Sequence, residues 1–180
     1  MARAKTRKNE ALDVVARETA KVPRVAFERE RGVIGVTGEK GFYHIAAMTG
    51  GDADRAQNEL RAFRALADAG VSVTMIKYHA HSVSFVLRSR DRRRAEEVIK
   101  GCGFGCRLEG PMGILTIHAA NMRELTGVMV TASEALIKVG AEIVQLGDSH
   151  RAVYILLPEA RLDEAVEAAR RGFGVGGDTE

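Results

Sequence analysis

The chain has 180 residues, of which 46% are hydrophobic and 28% are charged, and its formal net charge is +3. These proportions are typical of an ordinary globular protein, and the small net charge argues against a nucleic-acid-binding protein. No window approaches the roughly 20 consecutive apolar residues that a membrane span requires, and the N-terminus lacks the apolar core of a secretory signal. We therefore expect a cytoplasmic protein with no membrane partner.

Residues 1–31 are predicted to form a basic N-terminal arm, with nine Lys or Arg against five Asp or Glu. Asn9 is a suitable cap for a short helix, and Pro23 would end that helix. The arm is expected either to dock weakly on the body of the protein or to remain loose, as basic termini often do.

The first predicted folded unit spans residues 39–110 and has the order strand, helix, strand, strand, helix, strand. Helical spacing of apolar side chains precedes Gly70, a suitable left-handed stop for the first helix. This order is typical of the ferredoxin-like split βαβ arrangement. The predicted strands are Phe42 to Met48, Val71 to Tyr78, Val83 to Leu87 and about Phe104 to Glu109, and the predicted helices run from about Ala53 to Ala69 and from Asp91 to Ile99.

A second predicted unit, residues 111–173, repeats the first at an offset of 70 positions without a gap, so that Gly70 matches Gly140 and Phe85 matches Ile155. Similarity at a fixed offset indicates a duplicated structural unit. The predicted strands are Ile114 to Ile117, Ile143 to Leu146 and Ala152 to Leu157, and the helices run from about Thr126 to Val139 and from Pro158 to near Arg171. Residues 174–180 are too rich in glycine for a good strand and are predicted to be a flexible tail.

Strand counting leaves the second unit without its fourth strand, while Val33 to Thr37 has no place in the first unit. An unpaired sheet edge is a liability for a folded protein. We therefore predict that residues 32–38 cross over and complete the sheet of the second unit, with a turn at Gly38 to Gly41 before the first unit begins. The predicted fold class is α+β: two ferredoxin-like βαββαβ units, each an antiparallel sheet with its helices on one face.

These residues resemble tandem ACT domains, and more narrowly the C-terminal regulatory region of aspartate kinase. The resemblance rests on Phe-Arg-Ala-Leu-Ala-Asp-Ala-Gly followed by Val-Ser-Val, on the matching stretch from Ala135 to His150, and on Val-Ile-Gly-Val-Thr before the first unit. It covers roughly residues 32–173. Nothing in residues 1–31 resembles the start of the family's kinase domain, so the resemblance implies a separate regulatory subunit or sensor that is not an enzyme on its own.

The loop before the first helix is the predicted place for an amino acid. The N-terminus of a helix offers unpaired backbone N–H groups to an α-carboxylate, and an acidic side chain nearby can accept the α-ammonium group. In the first unit these groups are the carboxylates of Asp52 and Asp54 and the backbone amides near Arg55, Ala56 and Gln57.

The resemblance adds Tyr78 beside this ligand and implies that the second ACT domain of a partner chain closes the pocket. The matching positions of that second domain are Gly140, Ala141, Glu142, Ile143, Ser149 and His150. Glu142 stands where the family often has Asn, which would favour an extra cationic group on the ligand. The implied effector is lysine, threonine or a related product of the aspartate pathway, and the implied partners are a second copy of the chain and an aspartate kinase catalytic chain.

The first loop departs from the family pattern Asp-x-Pro-Gly, because it reads Asp54-Arg55-Ala56-Gln57. The loss of Pro and Gly removes a preformed turn. Simple helix capping therefore remains an alternative interpretation of Asp52 and Asp54, and a solvated strand face or turn remains one for Glu142 and His150.

Other motifs give weaker evidence for a functional site. His79 and His81 could share one face of a strand, but no third ligand is evident, so we expect no metal site. The glycine-rich turn with Cys102 and Cys106 follows a predicted helix, so it is not a dinucleotide fingerprint, and its cysteines are expected to pack without redox chemistry. We expect no catalytic residue and no cofactor. The alternative to an amino-acid sensor is a ligand-free structural or assembly subunit, and a nucleic-acid-linked regulator is the least favoured reading.

Overall fold

A computed structural model of the chain describes residues 32–50, 54–120, 122 and 125–176. The predicted N-terminal arm, Asp52 and the end of the predicted tail (177–180) lie outside these residues. The elements are β1 (Gly32–Met48), α1 (Arg55–Asp68), β2 (Val73–Tyr78), β3 (Val83–Arg88), α2 (Arg92–Gly101), β4 (Gly105–Ala120), α3 (Val128–Lys138), β5 (Gln145–Asp148), β6 (Ala152–Pro158) and α4 (Leu162–Phe173). Short 3₁₀ turns, Ser89–Asp91 and Glu159–Arg161, lead into α2 and α4.

All six strands belong to one antiparallel sheet with the order β2-β3-β1-β4-β6-β5. Helices α1 and α2 follow strands of its first half, and α3 and α4 follow strands of its second half, so each half has the predicted βαββαβ content. The predicted ferredoxin-like fold class is therefore confirmed. No helix within the described ranges is both long and apolar enough to cross a bilayer.

The N-terminal part of β1 completes the second half of the sheet, as strand counting predicts. Val33 lies opposite Ala119, and Val36 lies opposite Ile117, in an antiparallel ladder with the second half of β4. The second half of β4 pairs in turn with β6, and β6 pairs with β5. The second half of β4 is thereby paired on both sides, which removes the exposed edge that an incomplete unit would present.

The predicted turn at Gly38 to Gly41 is wrong, because β1 continues through it. The register against β4 shifts between Glu39 and Phe42, so the extra residues form a bulge in a continuous strand. Gly41, with a positive φ of 89°, donates its backbone N–H to Glu159 Oε2 at 2.9 Å. Lys40 Nζ lies 2.6 Å from Asp163 Oδ2, and this hydrogen bond raises the pKa of Lys40 above its ordinary value.

The two sheets that were predicted for the two units form a single sheet. The segments predicted as separate strands near Phe104 to Glu109 and Ile114 to Ile117 are parts of the single strand β4. The predicted boundary between the units, after residue 110, therefore falls inside β4. Because β1 and β4 both run through the two halves, the halves share continuous backbone and not merely a linker.

Each half has its own hydrophobic core beneath its helices. The first core contains Ile45, Leu66 and Phe85, and the second contains Leu115, Leu136 and Ile155, and all six side chains are almost completely buried. Phe85 and Ile155, which the 70-residue offset aligns, are each 0% exposed. A third cluster lies on the opposite, helix-free face of the sheet and comprises Phe42, Val86, Met112, Ile114 and Leu156.

A buried polar latch joins the two edge strands across the helix-free face. Gln145 of β5 donates its side-chain N–H to the backbone carbonyl of Met75 in β2. Its carbonyl oxygen accepts from Ser84 Oγ at 3.2 Å, and His79 Nε2 lies 3.0 Å from the same hydroxyl. The single hydroxyl proton of Ser84 goes to Gln145, so His79 Nε2 must be the donor in the remaining bond. The latch therefore connects the first half of the molecule with the second.

We expect Gln145→Ala to lower the free energy of unfolding by about 1–3 kcal/mol, because it leaves buried polar groups without their partner. Gln145 is 4% exposed and Ser84 is 1% exposed, so water cannot readily replace the lost bonds. Urea unfolding followed by circular dichroism measures the change. The matched control is Gln57→Ala on the exposed side of α1, which should stay within about 0.5 kcal/mol of the parent chain. Equal effects of the two substitutions would contradict the latch.

Candidate functional site

The loop between β1 and α1 is held from two sides. Gly50 donates its backbone N–H to His81 O at 3.1 Å, which fastens the loop to the turn of the β2–β3 hairpin. Asn58 Nδ2 donates to Thr49 O at 3.0 Å, which fastens the same loop to the first turns of α1. Thr49 itself is only 2% exposed, whereas Gly50 has a positive φ of 80°. Thr49 and Gly50 are therefore fixed between the turn of the β2–β3 hairpin and α1.

Asp54 occupies the N-cap position of α1, but its carboxylate does not cap the helix. The side chain makes no capping hydrogen bond and is exposed, while its backbone carbonyl accepts from Asn58 N at 2.9 Å. For Asp54 the structure therefore does not support the simpler capping interpretation. A carboxylate beside the unpaired N–H groups of a helix start is the chemistry that an amino-acid zwitterion requires.

The three residues that follow Asp54 form the first turn of α1. Arg55 Nε donates to Glu59 Oε1 at 2.8 Å, one turn further along the helix, and this contact occupies its guanidinium group. Ala56 and Gln57 are exposed. The backbone amides of this turn are the predicted carboxylate-binding groups, and their use by a ligand stays a prediction.

Tyr78 lies at the end of β2 and is close to α1. Its ring makes an edge-to-face contact with Phe63 of α1, with centroids 6.4 Å apart, and 56% of the residue is exposed. The contact places an aromatic ring with a phenol group on the same side of the first unit as the predicted loop. Within the described ranges no group of three or more His, Cys, Asp or Glu side chains could hold a metal ion.

The second predicted set of residues lies in the second half of the molecule. Gly140, with a φ of 63°, and Ala141 end α3 through backbone N–H bonds to the Ile137 and Leu136 carbonyls, both at 3.0 Å. Glu142 is exposed, and Ile143 packs against the second core. These residues form the connection from α3 to β5.

Ser149 and His150 form the turn between β5 and β6, and both are exposed. Ser149 Oγ accepts a hydrogen bond from Ala152 N at 3.1 Å, so the hydroxyl holds the hairpin turn. This role agrees with the turn interpretation of the pair. The association of this set with the Asp54 loop of a second chain stays a prediction.

Sequence reasoning missed a cavity at the corresponding loop of the second half. Its volume is about 440 Å³, and its lining is mainly apolar and includes Met122, Leu125, Val128, Leu146 and Val153. Gly127, with a φ of 79°, is the N-cap of α3 beside it. The 70-residue offset could have revealed it, because it aligns residues 121–127 with the predicted loop at 51–57.

The glycine-rich turn after α2 behaves as a packing element. Cys102 and Cys106 are free and partly buried, and both pack against the first core. Burial raises the pKa of the Cys106 thiol, so the protonated, unreactive form is favoured at neutral pH. Phe104 is buried beneath the guanidinium of Arg61, 4.6 Å from its ring centroid.

Comparison with known proteins finds a family match in the second half of the chain. A family model described as an ACT domain matches residues 108–171. This part of the chain is similar to an ACT domain. The matched residues include most of β4 and all of α3, β5 and β6, but the fourth strand of that ACT domain is supplied by β1 and lies outside the match.

Curated relatives of this chain are aspartokinases. The aspartokinase of Corynebacterium glutamicum is 28% identical over 163 residues, which cover 84% of this chain and 38% of the relative. The aspartokinase of Mycobacterium tuberculosis H37Rv is 32% identical over 133 residues, which cover 67% of this chain and 31% of the relative. The chain thus spans about a third of the length of the curated relatives that it matches.

Solved structures share the fold of both ACT units. The regulatory subunit of aspartate kinase from Thermus thermophilus, in its ligand-free form, matches with a TM-score of 0.71 at 19% identity. The match covers 79% of this chain and 99% of the Thermus chain. A structure of aspartokinase alpha and beta subunits gives 0.72 at 20% identity with the same coverage. The predicted resemblance to the regulatory region of aspartate kinase is therefore confirmed.

Proposed function

We propose that this chain is an allosteric regulatory protein that binds an amino acid from the lysine and threonine branch of aspartate metabolism. The observation that carries the proposal is the exposed carboxylate of Asp54 at the start of α1, which makes no capping hydrogen bond, in a fold shared with aspartate kinase regulatory subunits. Recognition uses the first-turn amides for the α-carboxylate and Asp54 for the α-ammonium.

The remaining wall of the site is supplied by a second copy of the chain. In this proposal Gly140 to Ile143 and the Ser149–His150 turn of the second copy close over the ligand. Glu142 is exposed and accessible for a charged contact, which favours an effector with a cationic side chain such as lysine. A homodimer thereby becomes part of the binding site.

The regulated partner is an aspartate kinase catalytic chain. An effector changes the activity of such a partner only when it binds one conformation of the assembly more tightly than the other. Similarity to regulatory subunits supports this role, and it does not fix the direction of the effect.

A thermal-shift screen with lysine, threonine, methionine and diaminopimelate tests the proposal. A ligand that binds only the folded chain raises its melting temperature in a concentration-dependent way. We expect at least one of the four to do so. A folded dimer whose melting temperature is unchanged by all four, and which still associates with an aspartate kinase catalytic chain, would instead establish the structural-subunit alternative.

We expect Asp54→Ala to weaken binding of the effector roughly tenfold or more, because a hydrogen bond to a charged group contributes about 1.5–3 kcal/mol. Calorimetric titration measures the change in Kd. The control is Asp68→Ala, an exposed carboxylate at the opposite end of the same helix, which should leave Kd unchanged. If both variants bind as the parent chain does, Asp54 is not a ligand group.

A further inference from the structure

A second cavity lies on the helix-free face of the sheet, at the bulge of β1 where the two units meet. Its volume is about 350 Å³, within the size range of small-molecule sites. Phe42, Val86 and Ile114 lie almost completely buried at the floor of the cavity, and the partly exposed side chains of Val73, Met75 and Tyr154 provide its apolar surface. Ser72 to Met75 line it from the edge of the first unit, and Thr116 and Tyr154 line it from the second. A molecule in this cavity would contact both units of one chain.

The charged groups of the cavity form one ion pair. Arg88 Nη1 lies 2.6 Å from Glu39 Oε1, and the two side chains are 44% and 59% exposed. The guanidinium of Arg88 also lies 4.3 Å from the ring centroid of Phe42. Stacking on this ring places the guanidinium against the apolar surface, while the partial exposure of both ions lets them exchange partners readily.

We propose that this cavity binds a small zwitterion with an apolar body. Its carboxylate would bind Arg88, its ammonium group would bind Glu39, and its body would cover the partly exposed side chains of Val73, Met75 and Tyr154. A ligand with only a negative charge would bind Arg88 and leave Glu39 without a partner. A ligand with only a positive charge would bind Glu39 and leave Arg88 without one. A zwitterion replaces one ion pair with two, so every charge keeps an opposite charge beside it.

This site is separate from the amino-acid site proposed above. None of its lining residues belongs to the Asp54 loop, to Tyr78 or to the Gly140–Ile143 segment. A ligand here would bridge the β2 edge and the β4–β6 region, so it would contact both units. The inference goes beyond the proposed function and does not depend on it.

The test is a calorimetric titration of the full chain with L-leucine and two analogues that each lack one charge. N-acetyl-L-leucine has no ammonium group, and 3-methylbutylamine has no carboxylate. We expect saturable binding of leucine and binding at least tenfold weaker for both analogues. Absence of leucine binding, or equal binding of either analogue, would overturn the proposal.

Substitutions in the cavity test whether leucine binds there. Arg88→Gln and Glu39→Gln should each weaken leucine binding at least tenfold, and both positions are exposed enough for the variants to fold, which circular dichroism verifies. Asp54→Ala should leave leucine binding unchanged. Leucine binding that survives both cavity substitutions, or that Asp54→Ala removes, would overturn the cavity site. The latter result would still support the Asp54 loop, so failure of one site is distinguishable from failure of the other.

Discussion

Val36→Asp should lower the free energy of unfolding by about 4 kcal/mol or more, the range reached when an unpaired charge is buried in a core. Val36 is 3% exposed and belongs to the core of the second unit, although it precedes the first unit in the chain. The nearby guanidinium of Arg170 already donates to the Val36 carbonyl and to Glu167, so a carboxylate buried in that core must either stay charged at high cost or take up a proton. Because small domains are stable by only about 5–15 kcal/mol, a large part of the stability of the protein would be lost.

Ile34→Asp is the matched control for this substitution. Ile34 lies two residues earlier in the same strand but is 56% exposed, so its change should cost little. Urea unfolding of both variants gives the two free energies. Similar values for the two variants would contradict the assignment of the N-terminal strand to the second core.

Phe85→Ala and Ile155→Ala should each cost about 2–5 kcal/mol, the usual range for truncating a large buried side chain. The two positions are equivalent in the internal repeat, and each is completely buried in the core of its own unit. Since β1 and β4 run through both units, loss of either core should destabilise the whole sheet. We therefore expect one shared unfolding transition in both variants.

Differential scanning calorimetry follows this transition. Because the chain contains no tryptophan, far-ultraviolet circular dichroism serves as the second probe. Agreement between the calorimetric and van't Hoff enthalpies indicates a single cooperative unit. Two separated transitions, with only the one belonging to the altered unit shifted, would show that the units unfold independently and would contradict the strong coupling through β1 and β4.

The strand that crosses between the units was predictable from the sequence because it follows from counting. Eight short strand patterns and a repeat leave one strand unplaced and one edge unpaired, and Val33 to Thr37 is the segment that resolves both. Strand counting alone predicts the place of this strand, without any side-chain contact. Helix positions were also predictable to within a few residues, because apolar spacing and the stop at Gly70 determine them.

The continuity of β1 and β4 was not predictable by the same means. Gly38 to Gly41 contains two glycines and two charged residues, which is a normal turn signal. Its strand conformation depends on distant groups, since Gly41 bonds to Glu159 and Lys40 to Asp163. Partners more than a hundred residues away leave no local pattern in the sequence.

The candidate site was also predictable only in part. The position of Asp54 at a helix start follows from local spacing, whereas the absence of a capping bond depends on the conformation of the loop. The latch of Gln145, Ser84 and Met75 joins residues from three strands and has no sequence signal. Likewise, the cavity beside Arg88 arises only because the sheet brings β2 close to the second unit.

Hydrogen exchange of the chain, measured with and without each of lysine, threonine, methionine and diaminopimelate at saturating concentration, tests the amino-acid sensor most directly. At least one of these amino acids should slow exchange in the segment 49–57, and also in 140–143 and around the Ser149 turn if a second copy closes the site. Unchanged exchange in 49–57 with all four would contradict the account, as would protection confined to other parts of the chain.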